Sequence, residues 1–432
     1  MRPELSFEQA PPIDAPLRFF LTAPWFGVAA GALLAISGGE ALASRWTPAA
    51  LAVTHLLVAG FMLQAMCGAL LQFVPVATGG NVWRPRWVAA GTHALLIASA
   101  GLLVAAFLSR HAALFAAAAY GFALALGGFV VVVGSALWRT PARGPTLVAL
   151  RIALFGLSVT AVLGIALATG IGHDAGWPVQ AFTDLHAAWG LGGWALILLA
   201  GVSYAVVPMF YLAPGYPAWL ARGLPLLTLA LLLAWSARFA AADETEGSIF
   251  LLAGFGLGSL FAAATLRLQG RRRKSGDASL LFMRTAMLSL LALFASALLF
   301  VLLPGLRLEP GAAVWLGVLA LVGVFVSAIN GMLYKIVPFL GWLHLKNLGG
   351  PRGPAPTMRQ MIPARAMRGQ CFLHLAALSM LLAAVWLPAL ARPAGLLFLL
   401  SSAWLGWNLY AAAAIFRDFR NRIRADAGDR RW

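Results

Sequence analysis

Two histidines are the first candidates for chemistry in this sequence, because each lies near the start of a long apolar segment. They are His55 and His186. An imidazole inside a membrane costs free energy and usually faces the interior of a helix bundle, and neutral imidazole is a common metal ligand. The pair therefore predicts a shared cofactor or metal site. The alternative is that each histidine donates one hydrogen bond between helices.

The residues that come after His186 at helical spacing are mostly small. They are Gly190, Gly193, Ile197, Gly201 and Tyr204. Beside an imidazole, such a stripe would leave space for the flat macrocycle of a haem, although small residues also allow simple close packing of helices. Tyr204 is a candidate for relaying protons or fixing a haem propionate. The alternative is an anchor in the aromatic belt of the membrane.

Three more histidines lie near the other ends of their apolar segments, at His93, His344 and His374. They could form a second, inner metal site, with copper as a possible metal, or they could be interfacial anchors. Cys67 and Cys371 both fall inside apolar runs. Neither a disulfide framework nor a CxxC metal site is therefore available.

The composition predicts the environment in which these side chains act. The chain is 61% hydrophobic and 10% charged, with a mean hydropathy of +0.86, whereas a soluble domain carries roughly 25% charged residues. At roughly 20 residues per span, the 432 residues have room for about twelve helices. We therefore predict an all-α integral membrane protein in a lipid bilayer. The net charge of +17 lies between hydrophobic segments and does not form a nucleic-acid surface.

Twelve apolar runs are bounded by proline, glycine or charged residues. They cover residues 17–39, 48–75, 87–109, 112–138, 146–171, 182–211, 218–241, 248–267, 280–304, 311–341, 370–391 and 394–416. These runs predict a single transmembrane domain over 17–416, preceded by a tail at 1–16 and followed by a basic tail at 417–432.

The arginines predict the orientation of the chain. Loops that come after even-numbered runs are rich in arginine, and short cytoplasmic loops are enriched in Lys and Arg. The opposite loops hold mostly acidic residues, such as Glu40, Asp243 and Glu309. We therefore predict that both termini are cytoplasmic, most simply in a bacterial inner membrane.

Three of the runs carry a Val-Pro pair near their cytoplasmic end. The prolines are Pro75, Pro208 and Pro338, and the two intervals between them are nearly equal in length. The pairs occur in runs 2, 6 and 10, and His55 and His186 are separated by almost the same interval. This period predicts three four-helix units at 17–138, 146–267 and 280–416.

With His55 in the second of twelve helices, followed by Pro75 and the pair Gly79-Gly80, the chain resembles subunit I of the haem-copper oxidases. It also resembles the NnrS family of haem- and copper-containing membrane proteins, which are linked to nitric oxide. The resemblance implies that His55 ligates a b-type haem. It also implies a function in electron transfer or in handling nitric oxide or another diatomic gas, with a redox partner or other membrane subunits.

The sequence departs from the oxidase pattern at two places. Residues 311–341 contain no histidine for haem ligation, and residues 218–241 contain none for copper. Oxygen reduction is therefore not predicted, and the simplest arrangement is a haem held by His55, His186 or both. Two other functions remain open: a transporter for a metal ion such as copper or for a small solute, and an assembly subunit without catalysis.

Overall fold

The computed structural model of the protein describes residues 7–172, 178–241, 247–273, 277–349 and 355–429. Within these ranges the chain is almost entirely helical and contains no β-strand. Twelve helices in the described ranges are long and apolar enough to cross a bilayer. Helices satisfy their backbone polar groups internally, as lipid requires. The predicted all-α polytopic membrane fold is confirmed.

We number these helices span 1 to span 12. They are Asp14–Ser37, Pro48–Thr78, Pro85–Ser109, Ala112–Arg139, Pro145–Ile171, Val179–Tyr211, Ala218–Ala240, Gly247–Gly270, Ala278–Leu302, Pro310–Gly349, Ala364–Trp386 and Pro388–Ala425. Short helices outside them are Phe7–Gln9, Glu40–Ala43, Pro304–Arg307 and Met358–Met361.

Consecutive spans run in opposite directions, so alternate loops lie at the same end of the bundle. The two ends differ in their charged residues. One end carries Arg84, Arg139, Arg222, Arg271 and Arg368. We call this end the arginine-rich face and the other end the opposite face. Asp243, one of the acidic residues that predict the orientation, lies outside the described residues, and the cytoplasmic location of the termini stays a prediction.

The predicted segments match spans 1 to 9 to within three residues at each end. Spans 10 and 12 end later than predicted, at Gly349 and Ala425, and span 11 begins earlier, at Ala364. The junction of spans 11 and 12 also differs. The predicted break lay between residues 391 and 394, but span 11 ends at Trp386 and span 12 begins at Pro388. Leu387 leaves the helical conformation because a residue before proline disfavours it. Pro393, by contrast, lies in the first turn of the helix that begins at Ala391, where proline is tolerated.

Spans 2, 6 and 10 form the interior of the bundle. In its most apolar stretch span 2 is 83% buried, and spans 6 and 10 are 72% buried, compared with at most 50% for any other span. The outer spans expose large apolar side chains such as Leu124, Val131 and Trp407. Exposing such a surface to water is unfavourable, so a lipid bilayer must surround it.

Each interior span contains one π-helical segment. The segments are Leu56–Met62, Trp189–Leu196 and Leu319–Val326. All three begin at the same separation from the proline of the Val-Pro pair in their span. Because π-helical turns are rare and often mark functional sites, their equal placement favours the repeat of three four-helix units, which stays a prediction.

The three prolines differ in how far the helix continues beyond them. Spans 2 and 6 end within one turn of theirs, at Thr78 and Tyr211. Span 10 continues well beyond Pro338, to Gly349. The predicted end of this run at residue 341, shortly after Pro338, is therefore wrong.

An ion pair joins spans 9 and 10 at the arginine-rich face. Lys335 Nζ lies 2.5 Å from Asp277 Oδ2. The same carboxylate begins span 9 by accepting hydrogen bonds from the backbone N–H and the hydroxyl of Ser279. Burial would raise the pKa of Asp277, but the bonds from Lys335 and Ser279 outweigh it and hold the pKa below its usual value. The Asp277 carboxylate therefore stays charged at neutral pH.

Candidate functional site

His55 is held by its own helix in a defined orientation. It is the eighth residue of span 2 and the last before the π-helical segment. Its Nδ1 donates to the carbonyl oxygen of Leu51 at 2.8 Å, and its ring lies 4.8 Å from that of Phe107 in span 3. Because a carbonyl oxygen only accepts, the proton of the neutral ring is on Nδ1. Nε2 therefore presents a lone pair.

His186 is held through the same ring nitrogen, but by a neighbouring helix. It is the eighth residue of span 6, and its Nδ1 donates to the carbonyl oxygen of Thr160 in span 5 at 3.1 Å. A Cβ atom at Gly164 would lie 2.9 Å from the ring carbon Cε1, so the imidazole rests directly on the backbone of span 5. Its Nε2 also presents a lone pair.

Both imidazoles border one apolar cluster near the opposite face: His55 lies against Phe107, and His186 lies on Gly164, the residue before Ile165 of the same cluster. Both side chains are half-buried. Metal-binding histidines usually donate the other ring N–H to a carbonyl or carboxylate, which fixes the ring and raises its basicity. Two such anchored rings with free Nε2 atoms form a candidate two-ligand metal centre.

An ion pair lies at the opposite face and joins the loop before span 2 to span 6. Arg45, in the loop before span 2, lies 2.5 Å from Asp184, which comes shortly before His186 in span 6. The guanidinium also stacks over the ring of Trp46 at 4.6 Å. The pair thus ties the segment that leads into span 2 to the start of span 6.

We expect a double-mutant cycle of Arg45→Gln and Asp184→Asn to give a coupling energy of about 1 kcal/mol, the upper end for exposed pairs. The side chains are only 34% and 28% exposed. As a matched control, the pair Arg86–Asp14 is 65% and 50% exposed and should couple by about 0.3 kcal/mol. Reversible unfolding in detergent measures both. Equal coupling energies for the two pairs would show that the Arg45–Asp184 pair does not stabilise the contact between the loop before span 2 and span 6.

The glycine stripe after His186 does not form a cradle for a macrocycle. A Cβ atom would lie 3.2 Å from Thr160 at Gly190, 2.8 Å from the Trp189 ring at Gly193, and 2.7 Å from Ala149 at Gly201. The π-helical segment also shifts the register, so these positions do not share one face. The expectation of haem space along this stripe is therefore wrong, and the glycines serve close packing.

Tyr204 does not belong to the two-histidine centre. It lies far along the same span from His186, at a distance of roughly 25 Å for a helix. Its ring packs edge-on against Tyr216 at 5.2 Å, and its hydroxyl has no hydrogen-bond partner among the described residues. A contact with a propionate of a haem on His186 is therefore wrong.

The three histidines predicted to form an inner metal site are at separate helix contacts. His93 bonds Thr22 of span 1 at 2.9 Å, and buried His374 bonds Ser327 of span 10 at 2.7 Å. Both nitrogens of His344 face carbonyl oxygens, of Leu340 and Pro11. No three His, Cys, Asp or Glu side chains converge on a metal position within the described ranges. The structure therefore does not assemble the predicted inner metal site from these three.

Sequence reasoning missed the parts of the site that span 5 supplies. Thr160 offers only a backbone carbonyl, which any residue has, and Gly164 is one of many glycines in the apolar runs. The opposite charges of Arg45 and Asp184 were a usable signal, because both lie at the same membrane face.

Known proteins provide no further assignment of this site. The chain matches no family model and no curated protein.

Proposed function

We propose that His55 and His186 hold the iron of a b-type haem near the opposite face and that the protein acts in electron transfer or in handling a diatomic gas such as nitric oxide. The observation that supports this most is the matched state of the two rings. Each donates from Nδ1 to a carbonyl oxygen, leaves Nε2 free and borders the same apolar cluster. When bound, the haem would supply reversible one-electron chemistry or a gas ligand position.

The chemistry of the donors fits haem iron. Imidazole nitrogen is a usual axial ligand, and hydrogen bonds to its second nitrogen tune the metal. Apolar side chains around the outer ends of spans 3 to 5, including Leu103, Phe115 and Ala168, would exclude water from a flat aromatic group. His55 and His186 would bind and orient it, and Arg45 with Asp184 would limit access from the aqueous side.

The donor set also separates this proposal from an oxidase. A copper centre of the oxidase type needs three histidines facing the haem, and within the described ranges no three metal-binding side chains converge. We therefore propose electron transfer or gas binding and not oxygen reduction. In this proposal the arginine-rich face is cytoplasmic, as expected from its charge.

Absorption spectra of the purified protein test this proposal. From haem-replete cells, wild-type protein should show a Soret band and about one haem per chain. His55→Ala and His186→Ala should each change the reduced spectrum, and the double variant should lose most of the haem. His111→Ala is the matched control, because His111 is exposed at the same face and should keep full haem content.

Two results would contradict haem binding at this centre. One is a wild-type protein without a Soret band. The other is a double variant that elutes as a monodisperse protein and still contains wild-type levels of haem.

A further inference from the structure

A seam of buried polar side chains runs between spans 10, 11 and 12. Each of its side chains is at most 6% exposed. The seam consists of Ser327, Asn330, Tyr334, Gln370, His374, Ser401 and Asn408. Burying a polar group inside a membrane costs free energy unless the group forms a hydrogen bond. Each polar atom in the seam therefore needs a hydrogen-bond partner.

Three side-chain pairs connect the helices across the seam. Asn408 donates to the Tyr334 hydroxyl at 2.9 Å. The Gln370 amide donates to the hydroxyl and the carbonyl oxygen of Ser401 at 3.0 and 3.2 Å. The Ser327 hydroxyl lies 2.7 Å from His374 Nε2.

The bonds of Ser327 determine which nitrogen of His374 carries the proton. Its hydroxyl donates its one hydrogen to the carbonyl oxygen of Val322, in the π-helical segment, at 3.0 Å. It must therefore accept from His374, which puts the ring proton on Nε2. Nδ1 is then a lone pair, and it receives no hydrogen bond from the described residues.

Two amide oxygens in the seam also lack a donor. Gln370 Nε2 faces a carbonyl oxygen, so the amide cannot be reversed and Oε1 is an acceptor. Neither this atom nor Asn330 Oδ1 accepts a hydrogen bond from the described part of the chain. Across the described ranges, the seam therefore has three buried acceptors and no donor for any of them, and an unpaired buried polar group costs free energy.

The three acceptors lie within about one helical turn of one another in depth. The bond from His374 to Ser327 aligns spans 10 and 11, which run in opposite directions. From that bond, Asn330 and Gln370 lie three and four residues toward the arginine-rich face. Each is therefore about one helical turn, roughly 5 Å, from the level of the bond.

The unpaired acceptors and the lack of a carboxylate in the seam determine which kind of ligand it can bind. Three acceptors require a ligand that donates hydrogen bonds. The seam as defined contains no carboxylate to balance a cation, and burying an uncompensated charge is far more costly than burying a neutral group. We propose that the seam binds at least two water molecules, which together donate to His374 Nδ1 and to the oxygens of Gln370 and Asn330, because one water has only two hydrogens to donate. A small neutral donor fits this chemistry, and polar sites with two to four partners are where buried water is found.

Two measurements on the full-length protein test the proposal. A cryo-electron microscopy map in lipid nanodiscs that resolves ordered water should contain density within hydrogen-bond distance of His374 Nδ1. Infrared difference spectra between H₂¹⁶O and H₂¹⁸O should show a water band that Asn330→Leu weakens or shifts. Cys67→Ala is the matched control, because Cys67 is equally buried and has the same position relative to its Val-Pro pair as Asn330. The band should survive this control.

Thermal stability gives an independent readout. If water pairs with Asn330, the change to leucine removes a satisfied group and lowers the Tm. If the seam is dry, the same change removes an unpaired acceptor and raises the Tm. A raised Tm, or a map without density at these atoms but with water elsewhere, overturns the proposal. Stoichiometric metal at His374 and Cys371 would overturn it too. Should Asn330→Leu fail to fold, the wild-type map decides.

Discussion

Replacing Gly395 with valine is expected to prevent spans 1 and 12 from packing and to leave little monodisperse protein. A Cβ atom at Gly395 would lie 2.6 Å from the backbone nitrogen of Ala35 and 2.9 Å from the carbonyl oxygen of Gly31. Both neighbours are backbone, so no side chain can rotate away, and the helices must separate. Overpacking usually costs about 1 to 3 kcal/mol, and we expect the upper end here.

This contact is also important for the topology of the bundle. Spans 1 and 12 are the first and last spans of the described chain, and a Cβ atom at Gly31 would in turn lie 2.5 Å from the backbone nitrogen of Leu399. The contact thus joins the two ends of the bundle through small residues that let two backbones approach.

Gly101→Val is the matched control for the first prediction. Gly101 lies in span 3, and a Cβ atom there would have no neighbour within 4 Å among the described residues. The Gly101→Val change introduces the same side chain into a membrane-spanning helix at a position where no neighbour clashes with it. Fluorescence-detected size exclusion and thermal unfolding compare the two variants. If Gly395→Val were as stable as Gly101→Val, the close contact of spans 1 and 12 would be wrong.

Replacing Trp189 with alanine is expected to lower the stability by at least as much as the Gly395→Val change. The ring is 1% exposed, packs edge-on against Phe155 of span 5 at 5.7 Å, and donates from Nε1 to Ser236 of span 7 at 3.0 Å. Truncating a buried aromatic ring costs about 3 to 5 kcal/mol because a cavity remains. Trp189 begins the π-helical segment one turn after His186, so the loss should also loosen that histidine.

Two variants separate the causes of the Trp189 effect. Trp189→Phe keeps most of the packing and loses the hydrogen bond, so about 1 kcal/mol should be lost. Trp219→Ala removes the same side chain from a position that is 66% exposed and should change stability by no more than about 0.5 kcal/mol. A Trp189→Ala protein with wild-type Tm would show that the ring does not support spans 5, 6 and 7.

The sequence by itself determined the class of fold and nearly all of the spans. Hydropathy is a property of each segment alone, and a bilayer admits few structures other than helices for such segments. The same local reasoning found the Val-Pro period and selected His55 and His186 by residue type and depth. It failed at Pro393 and Pro338, because whether a proline ends a helix depends on its position within the turn and on the helices around it.

Only the tertiary structure decided which side chains meet. His55 and His186 are far apart in the sequence, and their approach depends on how spans 2, 5 and 6 rotate and pack. The π-helical segments changed the register that the glycine stripe assumed, which turned the expected haem space into a packing surface. Tyr204 was separated from His186 by the length of one helix, and His374 was directed into a seam with spans 10 and 12. Contacts between helices depend on the rotation and approach of whole elements, and neither hydropathy nor spacing within one segment contains that information.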